Sequence, residues 1–130
     1  ASTQCISCAR KEIGEKKRTG LGDISGQMWS GIKAKAKKAK IPFEIEISDA
    51  WGLFLKQEGR CAISNMKMKL TGYPYDKKNT TAELILIKPH LGYAKDNIQW
   101  VHRTVARMKA DLSLEQLVDI AYQITVNNAI

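Results

Sequence analysis

The sequence holds few of the thiol and imidazole side chains that bind transition metals or move protons near neutral pH. It contains two histidines, His90 and His102, and three cysteines, two of which form the pair Cys5-Ile-Ser-Cys8. Histidine titrates near neutral pH and can act as a base or a metal ligand. A CxxC pair presents two thiolates to one zinc ion, but tetrahedral zinc needs two more ligands. The pair therefore offers half of a Zn²⁺ site, and the alternatives are two free thiols or a zinc ribbon whose other half lies upstream of these residues.

Positive charge is concentrated in the first third of the chain. The net charge is +8, and residues 1–40 supply +7 of it through ten basic residues against three acidic ones. A concentrated positive field attracts nucleic-acid phosphates through counterion release, although a basic surface can also serve solubility alone. Nucleic acid is therefore the first partner to consider. The lysines nearest the folded part of this region are Lys33, Lys35, Lys37, Lys38 and Lys40.

These lysines are expected to lie on a helix that follows a polar, basic lead-in over residues 1–22. From Asp23 or Ser25 onward, apolar residues recur at every fourth position, which is the spacing of one helix face. Pro42 ends the pattern because proline lacks the amide hydrogen that a helix requires. The apolar face consists of Ile24, Met28, Ile32 and Ala36. The lysines occupy the remaining faces, where a partner can reach them.

The middle of the chain is expected to add a short strand and a second helix. Phe43, Ile45 and Ile47 alternate with glutamates, which predicts a half-buried strand. Ser48 is then expected to cap a helix that runs to about Gln57. These elements lead into the second half of the chain.

The second half of the chain predicts the order strand, turn, strand, helix, helix. Residues 82–88 have an apolar centre typical of a buried strand, residues 97–101 form the second strand, and a helix runs on through Lys109. Ser113 and Gln116 have the spacing of a capping box that starts the last helix. The apolar stripe expected to join that helix to the core consists of Leu114, Leu117, Val118, Ala121 and Ile124. Residues 23–130 therefore read as a single α+β domain.

The segment over residues 59–109 resembles phage-type HNH endonucleases, which share a ββα-metal core. The motifs that carry the resemblance are Gly59-Arg60-Cys61-Ala62-Ile63-Ser64, Gly92-Tyr93, Asp96-Asn97-Ile98-Gln99-Trp100-Val101-His102 and Arg107-Met108-Lys109. With upstream matches it covers most of residues 24–122. The resemblance implies an α+β fold with a short β-hairpin, a ββα unit over about residues 82–109 and helices at both ends.

The catalytic positions of that family are filled here by aliphatic side chains. Its enzymes hold one divalent metal ion, Mg²⁺ or Mn²⁺, between the first strand and the helix of the ββα unit, and a nearby base activates water. The strand positions that carry Asp-His, or Asp-Arg in the phage subgroup, are Ile85 and Leu86, and the helix position is Ala106. None of the three can bind a metal ion or accept a proton. The resemblance therefore implies the scaffold without its ordinary chemistry.

The structural zinc site of some relatives is also incomplete. Cys61 and His102 stand at two of its four positions, whereas Ser64 and Val105 stand where the other cysteines would be. The resemblance therefore implies no complete zinc site in the ββα region.

A rearranged catalytic site is the alternative. His90 lies in the turn beside the vacant positions and His102 begins the helix, so either histidine could serve as base or ligand, with Glu83 as an oxygen donor. The simpler interpretation is that His90 is exposed, that His102 caps the helix and that Glu83 faces solvent or a basic neighbour. Asn97 is expected to fix the turn through backbone hydrogen bonds.

Three functions follow from these alternatives. The first is a DNA-binding module without nuclease activity, which holds duplex phosphates with Arg103, Arg107 and Lys109 and with the lysines at 33–40. The second is an active, metal-dependent endonuclease of homing type with a rearranged site, or an inactivated variant of one. The third is a basic RNA-binding or interaction module that uses the ββα unit as a scaffold. No run of apolar residues is long enough to span a membrane, so an intracellular, cytoplasmic protein is expected. The sequence does not indicate whether the protein forms oligomers.

Overall fold

A computed structural model of the protein describes residues 20–129. Within this range the chain forms four α-helices, one 3-10 turn and one two-stranded sheet. In chain order they are α1 (Gly26–Lys38), α2 (Ile47–Lys56), β1 (Ala82–Leu86), the turn Pro89–Leu91, β2 (Ile98–His102), α3 (Arg103–Lys109) and α4 (Leu114–Asn127). The predicted α+β class is confirmed. Cys5 and Cys8, with the lead-in up to residue 19, lie outside the described residues.

β1 and β2 form an antiparallel hairpin in which Ala82 lies opposite His102 and Leu86 lies opposite Ile98. The side chain of Asn97, only 3% exposed, closes the loop between them. Its Oδ1 accepts from the Lys88 amide at 2.8 Å, and its Nδ2 donates to the carbonyls of Lys88 at 2.9 Å and Gly92 at 2.7 Å. The expected role of Asn97 in the turn is confirmed.

Replacing Asn97 by alanine is expected to lower the free energy of unfolding by about 3 kcal/mol, because three hydrogen bonds to the loop backbone are lost, one of them buried and two partly buried. Urea unfolding followed by circular dichroism measures the change. Asn128→Ala is the matched control, since its side chain donates a single bond to the Ile124 carbonyl at an exposed helix end. A loss for Asn97→Ala no larger than for the control would contradict this role.

Trp100 on β2 ties the hairpin to α2. The side chain is fully buried, its indole Nε1 donates to the Ala50 carbonyl at 2.8 Å, and its ring meets Phe54 edge-on with centroids 5.6 Å apart. The Gln57 amide bonds to both the backbone N–H and the carbonyl of Trp100, each at 3.0 Å. One tryptophan thus connects α2 to the strand through apolar and polar contacts together.

α1 begins as predicted and is held beside the hairpin by aromatic rings. Ser25 Oγ accepts from the Met28 amide at 3.0 Å and caps the helix. Buried Trp29 packs edge-on against Phe43 with centroids 5.5 Å apart, and Phe43 lies 5.1 Å from the Tyr93 ring. This row of rings joins α1 to the loop between β1 and β2.

The strand predicted over residues 43–47 is wrong, and so is the Ser48 cap. Phe43 makes one isolated bridge to Tyr93, and Ile47 already belongs to α2. The helix starts earlier than expected because the Asp49 carboxylate accepts from the Glu46 amide at 2.8 Å. That bond places the start of the helix at Glu46, so the end of the predicted strand belongs to the helix instead.

The apolar stripe predicted for α4 is largely exposed. The capping box of Ser113 and Gln116 is present, with bonds of 2.9 and 3.1 Å. Leu117 is buried, however, while Leu114, Val118 and Ile124 are each about half exposed. The main helix neighbour of α4 is the short α3, which is too short to cover the stripe. Across residues 20–129, every helix falls short of the length and apolarity needed to cross a membrane.

Candidate nucleic-acid interface

A cleft of about 530 Å³ separates α1 from the ββα unit formed by β1, β2 and α3, and the loop over residues 71–80 borders it. Its floor consists of the buried residues Thr80, Ala82, Leu84 and Tyr93. Half-buried Met28, Ile32 and Glu83 form its walls. The cationic side chains that line it are Lys35, Lys77, Arg103 and Arg107. Basic residues from three separate parts of the chain therefore face one cleft.

The lysines of α1 lie on different sides of the helix. Lys35 lines the cleft, one turn after Gly31, which also lines it. Lys33 and Lys37 are two positions from Lys35 and so point roughly 160° away around the helix axis. Lys38 and Lys40 are exposed and do not line the cleft. Of the five lysines predicted to bind nucleic acid, the structure brings only Lys35 to the cleft.

α3 contributes two arginines to the cleft, and one of them also shapes it. Nη1 of Arg103 donates to the carbonyls of Lys77 at 3.2 Å and Thr80 at 3.1 Å. Arginine has five N–H donors, so further donors of Arg103 remain for a ligand. Arg107, one turn later, is exposed and lines the cleft, whereas Lys109 does not. Arg103 thus places the loop that brings Lys77 to the site.

The loop is braced internally by Asp76. Its carboxylate accepts from Asn79 Nδ2 at 2.6 Å and from the Lys78 amide at 3.1 Å. The Asn79 bond is the chief reason that the pKa of Asp76 lies below its ordinary value. A carboxyl whose pKa is lowered by folding stabilises the fold above its unfolded pKa, and the contribution is lost as the pH falls through the folded pKa. Protonation of Asp76 in acid therefore removes one contribution to the stability of the loop.

Two polar side chains in the cleft, the Glu83 carboxylate and the Tyr93 hydroxyl, have no hydrogen-bond partner within residues 20–129. Tyr93 is 6% exposed, and its backbone N–H donates to the Pro42 carbonyl at 2.8 Å. Burial is the larger of two causes that raise the pKa of Tyr93, and the negative charge of Glu83 is the smaller one. The phenol is therefore neutral at physiological pH and can donate a hydrogen bond beside a carboxylate that accepts one.

Replacing Glu83 by glutamine is expected to lower the pKa of Tyr93 while leaving it above the ordinary value of 10.0, because burial is the larger cause of the shift. NMR titration of ring-labelled tyrosine measures the change, and Tyr93→Phe identifies the signal. An unchanged pKa in Glu83→Gln would show that the carboxylate does not act on the phenol.

The positions matched to the family's catalytic residues lie apart from the cleft lining. Ile85, Leu86 and Ala106 are partly buried and pack against the core. Ile85 pairs with Gln99 and Leu86 with Ile98 at the loop end of the hairpin. Three hydrocarbon side chains do not fit a divalent metal ion, which needs oxygen or nitrogen donors. Nowhere in residues 20–129 do three or more His, Cys, Asp or Glu side chains come together as a metal-binding group.

The two histidines lie at opposite ends of the hairpin. His90 is exposed in the 3-10 turn that follows β1. His102 pairs with Ala82 at the far end, and its Nδ1 accepts from the Thr104 amide at 3.1 Å as the N-cap of α3. The capping role considered for His102 is confirmed, and the two histidines do not form one site.

Cys61 and Ser64, at two of the positions that the HNH resemblance matches to zinc ligands, are hydrogen-bonded to each other. The Ser64 amide donates to Cys61 Sγ at 3.3 Å, and the thiol is buried. Burial acts to raise the pKa of Cys61, but bonds with the Ser64 side chain and with the backbone of His102, Ser64 and Ile63 outweigh it, and the pKa is lowered. The thiol is held by the protein's own polar groups.

The cleft as a whole is suited to binding anions. Four cations face it, one of them is held by two backbone carbonyls, and its floor is mainly apolar and aromatic. Comparison of the chain with protein-family models, curated protein sequences and solved structures found no match. The case for a function therefore comes from the residues and their geometry.

Proposed function

We propose that this protein is a nucleic-acid-binding domain on an HNH-type ββα scaffold, which holds duplex DNA by its phosphates and does not hydrolyse it. The observation that carries the proposal is the convergence of Lys35, Lys77, Arg103 and Arg107 on one cleft. Lys35, Lys77 and the two arginines of α3 come from three parts of the sequence that only folding brings together. The net charge of +8 supports the same partner.

The cleft cations suit phosphate recognition in different ways. The planar guanidinium groups of Arg103 and Arg107 can pair with two phosphate oxygens at once, whereas Lys35 and Lys77 act as point charges. Arg103 is already ordered by its bonds to the loop, so less conformational freedom is lost on binding. The lysines on the far side of α1 contribute longer-range attraction, which salt screens beyond about 8 Å at physiological ionic strength.

Binding without cleavage follows from the side chains at the family's catalytic positions. Ile85, Leu86 and Ala106 supply no metal ligand and no base, and they pack against the core. Aliphatic residues there avoid the cost of burying charge at the end of a strand. The ββα unit in this proposal serves as a platform for Arg103 and Arg107.

Salt dependence of duplex binding tests this function. With four phosphate contacts, the logarithm of the association constant should fall with that of the salt concentration at a slope of about −3 to −4, or about 100-fold between roughly 50 and 200 mM salt. Fluorescence anisotropy with a short labelled duplex measures it, and a scrambled duplex should bind almost equally well. Salt-independent binding, tighter binding to structured RNA, or chelator-sensitive nicking of a plasmid in Mg²⁺ or Mn²⁺ would contradict the proposal.

A further inference from the structure

We infer that the floor of this cleft receives one unpaired nucleotide of the bound DNA, with its base inside and its phosphate at the cationic rim. The inference rests on the proposed function and adds the form of nucleic acid that the cleft selects. It follows from three features of the cleft that phosphate binding does not require.

The first feature is the apolar interior. Phosphate contacts need only the four cations, yet Met28, Ile32 and Leu84 also line the cleft, together with the Tyr93 ring. The volume of about 530 Å³ falls within the roughly 300 to 1,000 Å³ typical of sites that enclose small organic ligands. A planar base can bury its faces against such a surface, as extruded bases do in other nucleic-acid-binding pockets.

The second feature is the pair of polar groups, Glu83 and Tyr93, whose side chains have no hydrogen-bond partner within residues 20–129. The Glu83 carboxylate would repel a bare phosphate, so its presence among four cations indicates a ligand that also carries N–H donors. Guanine offers adjacent N–H donors on its pairing edge, which a carboxylate can accept together, and the Tyr93 hydroxyl can donate to a ring acceptor. In a duplex the N1–H and one N2–H of guanine are used in base pairing, whereas its ring acceptors stay accessible. Only an unpaired guanine can therefore present both N–H donors to the Glu83 carboxylate.

The third feature is the open side of α1. Gly31 lines the cleft, and a Cβ atom there would meet no heavy atom within 4 Å. The space beside this position is therefore clear for a ligand. Gly52 on α2 is equally open but does not line the cleft, so it provides a matched control position.

The test compares a blunt duplex with the same duplex carrying one bulged guanosine. The bulged duplex should bind about tenfold more tightly, because the unpaired base adds contacts with the apolar lining that a blunt duplex cannot make. Gly31→Trp, which fills the cleft, should abolish the preference, whereas Gly52→Trp should keep it. Glu83→Gln and Tyr93→Phe should each reduce it, and a bulged thymidine should bind less tightly than the guanosine.

The outcomes separate the two proposals. Salt-dependent binding of both duplexes with equal affinity overturns the unpaired-nucleotide inference and leaves duplex binding intact. A bulge preference that survives Gly31→Trp also overturns it, because the base would then bind elsewhere. Tight binding of free guanosine monophosphate, with no bulge preference, would assign the cleft to a free nucleotide instead. Absence of salt-dependent binding to either duplex overturns the proposed function itself.

Discussion

The double variant Lys35→Glu with Arg107→Glu is expected to bind duplex DNA about 100-fold more weakly than the unaltered protein at low salt. Both side chains are exposed and line the cleft, one from α1 and one from α3. Reversing the charge of these two side chains removes two phosphate contacts and places two carboxylates where phosphates should lie. The slope of the salt dependence should therefore become shallower by about 2. Fluorescence anisotropy across a salt series measures both effects.

The matched control is the double variant Lys33→Glu with Lys37→Glu. It makes the same change in net charge, and both lysines are exposed on α1, but neither lines the cleft. Only long-range attraction should be lost, so the affinity should fall by no more than about fivefold. Equal losses in the two double variants would show that the charge of the whole surface, and not the cleft, binds the DNA. Circular dichroism checks that both variants remain folded.

Restoring Ile85→Asp, Leu86→His and Ala106→Asn together is expected to create metal-dependent nicking of plasmid DNA, at least about 100-fold above the unaltered protein. The three positions lie on the strand and helix of the ββα unit, where the family resemblance places a metal ion and a base. A carboxylate and an amide supply oxygen ligands, and the imidazole accepts a proton from water. Supercoiled plasmid in Mg²⁺ or Mn²⁺ is the substrate, and a chelator should abolish the activity.

Restoration of only two of the three positions provides the control, because a site that lacks its base or a ligand should remain near background. The substituted side chains are polar and their positions are partly buried, so the unfolding transition of each variant must be measured beside its activity. A folded triple variant that nicks no DNA in either metal would show that this hairpin and helix do not have the geometry of an HNH site.

Local sequence signals identified much of the fold. Ser113 caps the helix it is expected to cap, α1 begins at Ser25, one of the two expected starts, and Asn97 closes the hairpin loop with three bonds. Each depends on a side chain and backbone groups at most nine residues away. The start of α2 was predicted wrongly because residues 46–47 fit both an alternating strand pattern and the first turn of a helix. The hydrogen bond from the Glu46 amide to the Asp49 carboxylate favours the helix.

The candidate site was only partly predictable. Lys35, Arg103 and Arg107 belong to the set expected from charge, but the sequence gives no sign that Lys77 joins them. Its place depends on Arg103 donating to carbonyls of the loop more than twenty residues earlier in the chain. The exposed stripe of α4 has a similar origin, because hydrophobic spacing predicts a helix face and not the presence of a neighbour to cover it.

Two glycine variants test most directly whether nucleic acid binds in the cleft. Gly31→Glu and Gly52→Glu add the same charge in helix interiors where a Cβ meets nothing within 4 Å, and only Gly31 lines the cleft. Duplex affinity, measured by anisotropy at one salt concentration, should be at least about tenfold weaker for Gly31→Glu, because a carboxylate facing the bound phosphates repels them. Equal affinities of the two variants would contradict binding in the cleft.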